Sequence, residues 1–347
     1  MRKKFLTLIV VALSLILVAC SSDNTKDSES TKKDDSKEEV KTITLTHALP
    51  EDTTNQAGAL AFKEYVEENS DGALKVDVYP NSQLGDDRES LEGVQDGSIT
   101  ATLTGSAVQV NFVDSASILD LPFAFDNVED VMETYEDEEL FGALSKEYEK
   151  KNFKLLGVRV SSFRNLTTNK EVHSPNDLQG VKLRTMESKY HLESWKSLGA
   201  NPTPMPVNEL YAALQQGVVD GQENPLEVIY AQKFYEQQDY VTLTKHVPHP
   251  LVWVMNKDFY EELSEDLQKV VDEGMQEAKK GAQEREDELT NEIEEKFDEE
   301  GVEIIELNDD ELEEFQDATE HVWDTIEEDI STEVFDAFME KWNELND

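Results

Sequence analysis

One cysteine, Cys20, stands in 347 residues, which excludes an internal disulfide framework. Cations are also scarce, with 31 Lys and Arg against 77 Asp and Glu for a formal charge of −46. A surface of that sign repels phosphate backbones, so nucleic acid is not an expected partner. The 15 glycines include no pair two or five apart, so neither a GxGxxG nor a Walker A loop is written in the chain. The six histidines contain no HExxH, and the nearest pair, His246 and His249, is interleaved with Pro248 and Pro250, which bars a helical ligand face. No GxSxG elbow is present. No metal, cofactor or catalytic function is therefore expected.

Long apolar runs are missing except at the start. Arg2, Lys3 and Lys4 precede an apolar stretch over 5–19 of signal-peptide length, short for a membrane-spanning helix. It ends in Leu17, Val18, Ala19 and Cys20, which resembles the lipobox of bacterial lipoproteins with Cys20 as the acylated residue. Residues 1–19 are expected to be a signal peptide and 20–41 the lipidated cysteine with a disordered tether. From 21 to 41 nearly every residue is polar or charged, with Val40 the only aliphatic. About 20 flexible residues reach roughly 25 Å, enough to hold a folded body near the outer face of the cytoplasmic membrane. Losing three cations with the signal takes the formal charge to −49. The acids concentrate after residue 258 and read as solvated helix faces, which a salty or alkaline habitat would suit.

What remains has ample apolar residues, 38% of the chain, arranged in two alternating periods. Strand-like alternation over 41–47, 73–79, 98–104 and 153–160 is interleaved with helical spacing over 57–66, 86–94 and 128–150. Such alternation predicts crossover connections and a mixed or mainly parallel sheet. A second set follows over 164–246. Residues 250–255 read as a strand, and 258–297 as one long helix in which Gly274 and Gly281 permit a bend. The tail, with Phe315, Trp323, Phe338 and Trp342 at helical spacing, is expected to pack on the second lobe.

The densest chemistry lies over 177–225. Alternation over 181–184 puts Arg184 at a strand's carboxyl end, where open α/β sheets bind ligands. Asn208 reads as an N-cap and Gly217 as the left-handed residue closing a short helix, while Asn224 precedes Pro225 and so lies in extended chain. A guanidinium matches a carboxylate bidentately, and a neutral amide adds a donor without a counter-charge. Together they describe an anion grip. Spacing alone equally allows Arg184 to pair with one of the chain's own acids.

The same stretch carries GVKLR ending at Arg184, GANPTPM ending at Met205, ALQQG ending at Gly217 and DGQENP ending at Pro225. With YPNSQLGDDR ending at Arg88, LPF ending at Phe123 and AQKFYE ending at Glu236, these motifs resemble the solute receptors of tripartite ATP-independent periplasmic (TRAP) transporters, the DctP family. The resemblance covers roughly 42–347. It implies a two-lobed, periplasmic-binding-protein-like (type II-like) α/β fold with a long lobe-spanning helix. Lobe I would be 42–161 plus 250–289 and lobe II 162–249 plus 290–347, with hinges near Ser162 and His249. It further implies a monomeric receptor, without catalysis, that takes an organic acid such as a C4-dicarboxylate or sugar acid and passes it to an integral-membrane TRAP permease. Arg184 would form the carboxylate salt bridge, assisted by Arg164 and Asn224.

His47, Asp87, Arg88 and Tyr211 are weaker ligand candidates: His47 ends a strand and can face a crevice or pack, and Asp86, Asp87 and Arg88 follow Gly85 at a helix start. Trp195 and Trp253 read as core or as ring contacts. Sialic-acid receptors of the family carry a glutamate where this chain has Gly105, so sialic acid is disfavoured. A receptor for an ATP-driven importer would share the lobes and anchor, although the long helix and DGQENP favour TRAP. A lipoprotein enzyme on acidic sugars would need a carboxylate pair such as Asp86 and Glu223, and an adhesin would need no arginine-lined crevice.

Overall fold

Two-residue periodicity in the central strands separates the two cores of the first lobe. The computed structural model of the chain describes residues 40–346; the expected signal segment, Cys20 and nearly all of the tether lie outside the described residues. Its strands run β1 Lys41–Thr46, β2 Leu74–Tyr79, β3 Ala101–Gly105, β4 Phe153–Phe163, β5 Asn165–Thr168, β6 Lys182–Thr185, β7 Asn201–Pro204, β8 Gly221–Asn224, β9 Tyr240–Leu243, β10 Pro248–Asn256 and β11 Glu303–Glu306. One sheet has the order β2-β1-β3-β10-β4 and the other β11-β9-β5-β8-β6-β7. In β10, Val252 and Val254 face one cluster while Trp253 and Met255 face the opposite one, against Phe62 and Met275.

Both sheets are mixed, because β10 pairs antiparallel with β3 and β4, and β5 antiparallel with β8 and β9. Helical crossovers supply the parallel pairs β1 with β2 and β3, and β6 with β7 and β8. A two-lobed α/β receptor fold results. The lobes are joined where β4 ends at Phe163 and β5 begins at Asn165, so Arg164 alone separates the sheets. The return crossing is 244–247, and Arg164 N donates to Val247 O at 2.9 Å.

The third connection is the helix Glu265–Glu300, about 54 Å long at 1.5 Å per residue. The single helix expected over 258–297 is in fact two, because Ser264 caps the second with its hydroxyl on Leu267 N after a short helix Lys257–Glu261. Gly274 and Gly281 serve close approach. A Cβ at Gly274 would lie 2.9 Å from Val66 Cγ2, and one at Gly281 2.6 Å from Ala61 Cβ, so the helix Thr54–Asn69 nests against the long one. Farther along, Leu289, Ile293 and Phe297 join the second lobe's cluster with Leu210, Ile229 and Phe234.

The tail departs from expectation. Phe315 of the helix Asp309–Thr319 does pack with Leu166, Leu183 and Trp195. The helix Thr332–Asn346 instead covers the first lobe, where Phe338 shares a cluster with Phe125, Tyr135 and Leu144, and His321–Asp329 bridges the lobes, with Val322 and Ile326 in that cluster while Asp329 accepts from Lys189 Nζ at 2.6 Å and the Tyr190 hydroxyl at 3.1 Å. Edge-to-face rings at Phe125 and Phe338 and the Trp323 Nε1 bond to Pro122 O fix that docking.

Candidate functional site

Alternation in β6 sends Leu183 into a core cluster and Arg184 to the opposite face, where its side chain is 2% exposed. Its Nε donates to Met205 O at 2.8 Å, which aims the fork. Nη1 has no partner. No carboxylate lies within 4.0 Å of Arg184 among the described residues. Burial pushes the guanidinium down to about 10, with Glu223 opposing and Arg164 adding to the shift.

Arg184 opens onto a cavity of about 50 Å³ between the lobes, to which the first contributes Asn55, Asp87, Thr104 and Gly105, and the second Met186, Asn224 and Val228. The lobes touch around it. Asn111 Nδ2 donates to Glu187 O at 2.6 Å, and a Cβ at Gly105 would fall 2.5 Å from Met186 Cε. A side chain at Gly105 would have to displace the Met186 methyl. Behind the cavity, Glu227 reaches across to cap the helix Thr54–Asn69, accepting from Thr54 N at 2.7 Å and Thr54 Oγ1 at 2.9 Å.

Arg164 also lines the cavity, but its donors turn inward. Nε meets Glu223 Oε2 at 2.5 Å, and Nη2 meets Glu223 Oε1 at 2.9 Å, Glu223 O and Asn224 Oδ1; Nη1 meets His249 Nδ1 at 3.0 Å. The ligand contact expected of Arg164 is thus largely taken by Glu223, which is fully buried at 0% exposure. Despite that burial, the Arg164 charge and the His246 hydrogen bond hold the Glu223 carboxyl below the usual carboxylate range. His246 completes the cluster, with Nε2 3.0 Å from Glu223 Oε2 and Nδ1 2.8 Å from Thr244 Oγ1. Burial lowers its pKa, so a neutral ring donates from Nε2 and accepts the Thr244 hydroxyl at Nδ1. His249, whose pKa burial and then Arg164 push well below its ordinary value, accepts at Nδ1 and keeps its proton on Nε2.

Asn224 sits at the end of β8 as expected, with Oδ1 on Arg164 and Nδ2 on Gln222 Oε1. Asn208 is not the helix cap. That helix is Val207–Gln215 with Pro206 before it, and Gly217 follows at φ +65°. Asp86 caps the helix Asp87–Asp96 through a capping box with Glu89, leaving Asp87 on the cavity wall. Burial and then the Asp86 charge push the Asp87 carboxyl up to about 7 against the pull of Arg184. Arg88 lines the rim beside Glu92 at 3.3 Å and Glu187 at 4.0 Å.

The structure does not bring His47 and Tyr211 to the cavity wall. His47 Nε2 is 2.8 Å from Gln56 Oε1, buried at the strand end, and the Tyr211 hydroxyl donates to Glu236 at 2.6 Å on an outer face. Trp195 and Trp253 are core residues. Sequence reasoning missed Asn55, Glu187, His249 and the structural part of Glu223. The available signal was a lone charge, Glu223, inside a strand buried at every position.

The strand ends, the crevice and its arginine are the form of a solute receptor. The family described as bacterial extracellular solute-binding protein, family 7, DctP, matches residues 45–329. This chain belongs to the DctP family. A solute-binding protein of Verminephrobacter eiseniae is 40% identical over 224 residues, spanning 63% of this chain and 65% of that relative. The TRAP periplasmic solute binding protein of Polaromonas sp JS666, bound to D-erythronate, has a TM-score of 0.81 at 30% identity, covering 88% of this chain and 98% of that one. That of Shewanella oneidensis, with bound succinate, has 0.82 at 27%, covering 87% and 99%. DctP proteins bind solutes and are not enzymes. Among the described residues no acid or histidine cluster is arranged for a metal, and no helix is long and apolar enough to cross a membrane.

Proposed function

We propose that this DctP protein is the extracytoplasmic receptor of a TRAP transporter, gripping an organic acid anion, a sugar acid or C4-dicarboxylate, through Arg184 and delivering it to the membrane permease. The observation that carries this reading is a guanidinium 2% exposed with a terminal nitrogen unpartnered. Glu223, Asp87 and Glu187 act on this guanidinium only at a distance, so burial leaves it under-compensated, and a hydrogen-bonded ligand carboxylate removes that cost. Arg164, balanced by Glu223, backs the site and holds Asn224 and His249 in place. Anchorage by lipid on Cys20 and action as a monomer belong to the same reading, and the names of the relatives support the TRAP assignment.

Calorimetry with a panel of organic acids tests it. Removing one partner of a desolvated ion pair costs about 2–5 kcal/mol, so Arg184→Ala weakens binding roughly 30-fold to a few thousand-fold. Arg184→Lys falls between, because it keeps charge but loses the fork. Wild-type affinity in a folded Arg184→Ala protein sinks the mechanism.

A further inference from the structure

Charge and hydrogen-bonding capacity around the cavity select among organic acids. Of the arginines on its wall, Arg164 is neutralised by Glu223, and Arg88 stands at the rim with Glu92 and Glu187. Arg184 is the one buried guanidinium there without a carboxylate in reach. Facing the same space are Asp86, Asp87 and Glu187. One ligand carboxylate therefore finds a positive partner, and a second meets acids.

The polar remainder suits hydroxyl groups. Asn55, at the start of the helix Thr54–Asn69 and 5% exposed, lines the cavity with its Oδ1 unpartnered. A buried acceptor without a donor costs about 1–3 kcal/mol. No side-chain bond fixes which way this amide lies, and a hydroxyl serves it either way, donating to Oδ1 or accepting from Nδ2. Asp87 when ionised accepts only. His249, with its proton on Nε2, and Asn224 supply uncharged donors suited to hydroxyl oxygens.

We propose that the ligand is a hydroxylated monocarboxylate of the sugar-acid type and not a dicarboxylate, with Arg184 taking the carboxylate, Asp87 taking a hydroxyl proton and Asn55 meeting a hydroxyl through its amide. This rests on the receptor reading above. Asn55 and Asp87 are then the residues that set specificity, and Asp87 also excludes a second charge. Its carboxyl faces Asp86 and Arg88 on its own helix, Arg184 on β6 and Glu187 just beyond it. Acidification that protonates Asp87 weakens this exclusion.

The test is calorimetry of the purified protein at pH 8 with aldonates of three to six carbons, succinate and L-malate. The expected result is an aldonate binding at least tenfold tighter than either dicarboxylate. Asn55→Leu should cut aldonate affinity about tenfold and succinate affinity by less, so that the aldonate preference shrinks, with circular dichroism confirming the fold. Asp87→Asn should narrow the preference about tenfold, and wild-type protein at pH 6.5, where the ligand carboxylates stay largely ionised, should narrow it severalfold, with the variant insensitive to that pH change. Succinate or malate binding as tightly as every aldonate overturns the proposal while leaving the receptor reading intact. Failure of both classes to bind overturns the two together.

Discussion

Replacing Glu223 with glutamine removes one charge from the most buried ion pair described, with side chains 1% and 0% exposed and both terminal oxygens on Arg164. Arg164 has no second carboxylate within 4.0 Å to take over. Stripping one partner from a buried pair costs about 3–5 kcal/mol, because the other charge stays desolvated. At about 2 °C per kcal/mol for a chain this large, the thermal midpoint should fall by roughly 6–10 °C. Scanning calorimetry of the ligand-free protein measures it. The paired change Arg164→Met with Glu223→Leu should recover only part of the loss, since it removes the desolvated charges but leaves His246, His249 and Asn224 without these partners. The Glu223 carboxyl is held below its unfolded value, so its contribution is complete above the unfolded pKa and disappears only as pH falls through the lower folded one. The deficit should therefore be constant from pH 8 to pH 5.5. A midpoint shift under about 2 °C refutes the argument that this pair is desolvated and isolated.

Further outcomes are expected elsewhere. Glu227→Ala uncaps the helix Thr54–Asn69 only when the lobes meet, so an effect of about 1–2 kcal/mol should weaken ligand affinity roughly 5- to 30-fold; an unchanged affinity removes the cross-lobe cap as a closing contact. Asp87, with its folded pKa raised to about 7, binds its proton more tightly folded than unfolded, so between about pH 4 and 7 it makes the ligand-free protein less stable as pH rises. The difference in midpoint between Asp87→Asn and wild type should accordingly grow from pH 5 to pH 8, and parallel pH profiles count against it. Cys20→Ser should leave an unprocessed or freely shed protein, and fractionation with membranes at the wild-type level would exclude lipid anchorage.

How much of this was legible depended on how far apart in the chain the partners lie. Arg184 and Asn224 were readable because strand period, a proline and family motifs all act within a few residues of them. The engagement of Arg164 was not, because its partner Glu223 is 59 positions away and any of many acids would have matched. Nor was the cap from Glu227 to Thr54, 173 positions apart. Helical periodicity found Phe315, Trp323 and Phe338 but carries no address, so the last helix was expected on the second lobe and the bridging place of the one before it went unseen. Continuous helical spacing likewise masked the stop at 262–264, where Ser264 caps a new helix. His246 and His249 were weighed only as metal ligands, and their place beside Glu223 and Arg164 depends on β8 and the hinge strands meeting in space.

The helix Glu265–Glu300 belongs to two bodies at once. Near Gly274 and Gly281 it lies too close to the helix Thr54–Asn69 to slide, and at Leu289, Ile293 and Phe297 it is keyed into the other lobe. Rotation about Arg164 and 244–247 loads it between these grips, beyond the points where Arg285 donates to Asp52 O and Glu286 pairs with Arg159 of β4, so it acts as a spring in parallel with the hinge. Its stiffness enters the free energy of closing as a restoring torque. Affinity is therefore adjustable from an exposed, acidic surface that no ligand touches, by residues that only make this stretch easier or harder to bend.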